Sequence, residues 1–108
     1  MPSYMVQFSY SPESWAALMR TPEDRTAALD ALAKGVGGKV QALYYHFGEF
    51  DGTVIGEFPD DAAVNAMVFA AVSSGAVQST RTVRLFRPAE AIEALGKASK
   101  LTYRAPGK

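Results

Sequence analysis

Residues 39–58 read Lys39-Val40-Gln41-Ala42-Leu43-Tyr44-Tyr45-His46-Phe47-Gly48-Glu49-Phe50-Asp51-Gly52-Thr53-Val54-Ile55-Gly56-Glu57-Phe58. Two runs rich in Tyr, Val and Phe flank Gly48–Gly52. The stretch therefore predicts an antiparallel hairpin, with strands over 39–47 and 53–58 and a tight connection between them. Strict alternation puts Val40, Ala42, Tyr44 and His46 on one side of the first strand and Leu43, Tyr45 and Phe47 on the other. Ile55 opposes Val54 and Phe58 on the second. Neither face is cleanly polar, so both faces of the sheet need cover.

Upstream, residues 4–10 predict a strand, with Tyr4, Val6, Phe8 and Tyr10 on one face. Ser11-Pro12 is a helix start, a hydroxyl cap followed by proline. Thr21-Pro22-Glu23-Asp24 repeats that signal, which predicts a second helical piece after a break near Thr21, ended by Gly35, Gly37 and Gly38. Downstream, Pro59-Asp60-Asp61 opens a helix whose stripe is Val64, Met67, Val68, Ala71 and Val72. Residues 76–86 predict a fourth strand, and Pro88 opens a last helix to about Lys100. The order β-α-β-β-α-β-α is the ferredoxin-like βαββαβ arrangement with an extra C-terminal helix. It predicts an α+β fold: a four-stranded antiparallel sheet with helices on one face. Residues 1–100 are expected to form a single domain and 101–108 a loose tail.

Helices cover one face of such a sheet, and an apolar second face marks a contact surface. Two sheets packed face to face about a two-fold axis are the expected solution. The alternative is a monomer that folds its last helix and tail over that face.

Composition narrows the chemistry. Eleven basic and eleven acidic residues cancel. This argues against nucleic acid and anionic membrane surfaces as partners, since both attract an excess of positive charge. With no cysteine and one histidine, thiolate chemistry, cysteine-ligated metals and a two-histidine metal site within one chain are excluded. No cofactor is expected. No apolar run approaches the roughly 20 residues of a membrane span. The opening Met1-Pro2-Ser3-Tyr4 lacks signal-peptide character, and the expected location is cytoplasmic.

Tyr44-Tyr45-His46-Phe47-Gly48-Glu49-Phe50-Asp51, together with Met1-Pro2-Ser3-Tyr4, Ser11-Pro12-Glu13-Ser14-Trp15 and Gly37-Gly38-Lys39, resembles the GYD-domain family over roughly residues 1–100. The resemblance implies a place among the dimeric α/β-barrel proteins. That group includes small monooxygenases, haem-degrading enzymes, isomerases and ligand-binding modules. Gly48 and Asp51 match the name-giving motif. Phe50 stands where tyrosine is typical, so no role of that hydroxyl carries over.

His46 is the candidate general acid or base, since imidazole alone exchanges protons near neutrality when unperturbed. Asp51 is its candidate orienting partner; the simpler role for that carboxylate is to accept backbone N–H groups within its turn. Tyr10, Tyr44 and Tyr45 are candidate ligand contacts through stacking and hydroxyls, although tyrosine is also common in strands and interfaces. Trp15 either packs in the core or lids a pocket. Arg81 is the candidate clamp for a substrate carboxylate, and Glu57 is expected to pair with Arg81 or Arg84. The reading is a homo-oligomer that binds a small organic molecule, with any catalysis being cofactor-independent proton transfer or oxygenation. A non-catalytic binding or assembly protein, stress-linked, is the alternative.

Overall fold

The computed structural model describes residues 1–108. The elements are β1 (Ser3–Tyr10), α1 (Pro12–Arg20), α2 (Thr26–Lys34), β2 (Lys39–Tyr45), β3 (Gly52–Glu57), α3 (Asp61–Ser73), β4 (Val77–Leu85) and α4 (Pro88–Ala98). The strands form one antiparallel sheet in the order β2-β3-β1-β4. This is the ferredoxin-like α+β fold.

Alternation on β1 turns Tyr4, Val6, Phe8 and Tyr10 toward the helices, where all four are buried. Ala33 of α2, Phe58, and Val64 and Met67 of α3 close on Tyr4 and Val6. Phe8, Tyr10 and Val54 form a second cluster against Leu18, Leu29 and Leu43. Phe58 and Val64 are the largest fully buried side chains. Burying a side chain of this size contributes roughly 1.5–3 kcal/mol.

Three local readings are corrected. The second helix starts at Thr26, not at the Thr21-Pro22 signal. Asp24 Oδ1 accepts the Thr26 N–H at 2.9 Å, an Asx-type turn that holds residues 21–25 out of the helix. Strict alternation on β2 also fails. Val40 pairs with Gly56 but Ala42 pairs with Ile55, so Gln41 is bulged out and Val40 joins Leu43 and Tyr45 on the helix side. Glu57 has no arginine partner: its Oε1 accepts from Gln41 Nε2 at 2.6 Å, a bond that the bulge brings within reach.

α4 does not fold back over the sheet. It buries none of its residues, and no other element packs substantially on it. The radius of gyration is 17.6 Å and the longest extent 60 Å, whereas a compact chain of this length has about 13 Å. The face away from the helices is thus left open, with Met5, Ala42, Tyr44, Ile55, Val83 and Leu85 on it. Residues 101–108 contain neither helix nor strand.

Candidate functional site

One end of the helix-side face collects most of the unusual side chains. The cross-strand register Phe8↔Gly52↔Tyr45 puts a residue without a side chain between two aromatic ones. The Phe8 ring occupies that gap: a Cβ on Gly52 would lie 2.4 Å from its Cζ. Phe8 and Tyr10 then meet edge to face at 5.1 Å.

α1 begins directly after β1. Ser11 Oγ accepts the Ser14 N–H at 3.2 Å, and Ser14 Oγ donates to the Ala76 carbonyl at 2.9 Å, which ties the first turn of α1 to the approach of β4. Trp15, one residue on, therefore sits over the end of the sheet. Its ring stands perpendicular to Tyr10 at 5.1 Å and tilted against Tyr45 at 6.2 Å. Trp15 is 39% exposed, so it caps the cluster instead of lying within the core.

Asp51 links these pieces. Its Oδ2 accepts the Trp15 indole N–H and the Tyr10 main-chain N–H, each at 3.1 Å. The Asp51 N–H donates to the Phe8 carbonyl at 2.8 Å. The Tyr10 and Tyr45 hydroxyls share a hydrogen bond of 3.2 Å. Burial, then the Tyr45 hydroxyl, pushes the Tyr10 phenol well above the usual tyrosine range; the positive charge of Arg25 acts in the opposite direction.

Beside Tyr10 opens a cavity of about 430 Å³. Ser14, Ala17 and Leu18 of α1 and Ala76 supply one part of its wall, and Arg20, Thr21, Glu23 and Arg25 the other. Arg25 Nη1 contacts Glu23 Oε1 at 2.7 Å, a pairing that raises the guanidinium further above its already high range. A second, smaller space of about 50 Å³ lies among Val6, Leu29, Leu32 and Met67 in the core and is almost wholly apolar.

The sequence-derived candidates thus divide between two places. Tyr10, Trp15, Tyr45 and Asp51 meet at the helix-side cluster. His46, Tyr44 and Arg81 belong to the open face. His46 Nε2 lies 2.7 Å from Thr53 Oγ1, and Thr53 is the cross-strand partner of Tyr44. His46 and Asp51 meet through the backbone, His46 N–H to Asp51 carbonyl at 2.9 Å, while the Asp51 carboxylate points to Trp15 and Tyr10. Arg81 stands opposite Gln7 on the open face. The cavity residues Arg20, Glu23 and Arg25 had no signal of their own, because 21–25 reads as the start of a helix. No group of three or more His, Asp or Glu side chains converges as a metal site would require.

The GYD domain model matches residues 4–95, nearly the whole chain. The chain belongs to the GYD-domain family. No curated protein matches this GYD domain in sequence. Among solved structures it is similar to the protein TTHA0845 of Thermus thermophilus, at 19% identity and TM-score 0.51, over 81% of this chain and 95% of that one. It is also similar to the transcriptional regulator NMB0573 of Neisseria meningitidis in complex with L-Met, at 19% identity and TM-score 0.50, over 81% of this chain and 51% of the regulator. At these identities the likeness is one of fold. No helix of this GYD domain is long and apolar enough to cross a membrane.

Proposed function

We propose that this GYD domain is a homodimeric small-molecule-binding protein that takes its ligand into the cavity beside Tyr10. The observation that carries the reading is a 430 Å³ cavity lined by Tyr10, whose ring is packed against Trp15 and Tyr45. A cavity of that volume is within the range that holds small organic ligands. Tyr10 is held by hydrogen bonds to Asp51 and Tyr45 as well as by packing, so that part of the lining is shaped before any ligand arrives. Such preorganisation lowers the cost of binding.

Self-association through the open sheet face belongs to the same proposal. Met5, Ala42, Ile55, Val83 and Leu85 lie there with nothing from their own chain above them. Two copies of that face, related by a two-fold axis, satisfy it. His46, Tyr44 and Arg81 then serve the contact. Turnover through His46 is the second reading, supported by its 2.7 Å contact with Thr53, which fixes the ring. Exchange of His46 for Ala separates the two: a broken dimer supports the contact role, and lost turnover in an intact dimer supports catalysis.

A further inference from the structure

The cavity beside Tyr10 has a definite charge. Arg20 and Arg25 line it together with Glu23 as its only acid, a formal excess of one positive charge. The two arginines differ. Arg20 is exposed on the last turn of α1. Arg25 is half-buried, Glu23 takes its Nη1 at 2.7 Å, and both it and Tyr10 line the cavity. A guanidinium has five N–H donors in a fixed plane, and one carboxylate does not satisfy them all. Tyr10, its hydroxyl bonded to that of Tyr45, adds a second polar group to the lining. Ala17, Leu18 and Ala76 supply the apolar part of the lining.

We infer that the cavity selects small organic monocarboxylates, with the carboxylate on the free edge of the Arg25 guanidinium and the Tyr10 hydroxyl, and the organic body against Ala17, Leu18 and Ala76. This rests on the proposal that the cavity is a ligand site and adds the ligand class to it. One carboxylate matches the local excess of one positive charge, whereas a dianion would leave a charge without a partner inside a partly enclosed space. Arginine–carboxylate pairs are the strong, directional kind, so the charge should decide affinity and the apolar wall should decide shape.

Trp15 is the only tryptophan and its ring lies 5.1 Å from Tyr10, so its fluorescence reports occupancy of the cavity. The test titrates the full-length protein with benzoate, phenylacetate and hexanoate, and with benzamide, phenylacetamide and hexanamide. The expected result is saturable quenching or enhancement by at least one acid, tenfold or more tighter than by its amide. Arg25→Gln, with far-ultraviolet circular dichroism unchanged, should weaken the acid at least tenfold and leave the amide within about twofold. Equal binding of acid and amide, or binding unaffected by Arg25→Gln, overturns the carboxylate inference and leaves the cavity as a ligand site. Silence from all six compounds, with isothermal calorimetry also flat, overturns both.

Discussion

The indole N–H of Trp15 donates to Asp51 Oδ2 at 3.1 Å, joining the first turn of α1 to the turn between β2 and β3. The same oxygen accepts the Tyr10 amide. A carboxylate that fastens three segments in this way is a structural tie of the candidate site. Hydrogen bonds to charged groups contribute roughly 1.5–3 kcal/mol. Asp51→Ala should lower stability by about that amount in urea denaturation, and Trp15→Phe by about 1 kcal/mol. The double-mutant cycle should show coupling of about 1 kcal/mol between the two. Additive losses would mean that the bond contributes nothing.

Gly52 is required by contact and not by backbone conformation. A Cβ there would meet the Phe8 ring at 2.4 Å, and Phe8 is buried with Tyr10 and Val54 behind it. Gly52→Ala should therefore cost roughly 1–3 kcal/mol, the range for overpacking a filled core. Gly96, with open space around its Cβ direction, is the control: Gly96→Ala in α4 should be neutral or stabilising by up to about 1 kcal/mol. An unchanged urea midpoint for Gly52→Ala would contradict the packing described.

Tyr10 gives the protein an alkaline limit. Its phenol is raised above the ordinary value of 10.0 by burial first, and Tyr4 is raised by its hydrogen bond to Asp61, then by burial. Below pH 10 both states keep these protons, and the groups add no pH dependence. Above it the unfolded chain loses them first, so stability falls as pH rises. Urea midpoints measured from pH 8 to 11.5 should stay level and then drop, with a shallower drop in Tyr10→Phe. An identical profile in the variant would place the effect elsewhere.

The fold is readable because β1 and the first turns of α3 keep their apolar periods, although Val72, expected on the α3 stripe, is exposed. Val64, Met67 and Val68 fall on one helical stripe, and Tyr4, Val6, Phe8 and Tyr10 on one strand face. The bulge at Gln41 is not, because a strand carries no local mark of the residue that its partner skips; only the pairing of Val40 and Ala42 with successive β3 residues reveals it. The start of α2 was misplaced because Thr21-Pro22 is a sound helix signal that a stronger local competitor, the Asp24–Thr26 bond, overrides. That same error hid the cavity, whose charged wall is the 20–25 segment. The meeting of Asp51 with Trp15, 36 residues apart in sequence, was beyond local pattern. The sequence marks each as a candidate, but neither as the other's partner.

The open face is expected to hold two copies together. Ile55 lies on it between Met5 of β1 and Ala42 of β2. Ile55→Lys would place a charge within that proposed contact and bury it there without a partner. Sedimentation velocity should show a dimer for the parent protein and a folded monomer for the variant. A dimer that survives Ile55→Lys would move the contact to another surface.

Native mass spectrometry of the untagged protein, beside a cavity-filling Ala17→Trp variant, probes dimer and ligand together. Ala17 stands in the wall of the cavity. Both proteins should be dimers. One small organic molecule should be retained per protomer, or taken up from an added carboxylate, in the parent and none in the variant. A bare monomer, or a ligand held equally by the filled variant, would contradict the proposed function.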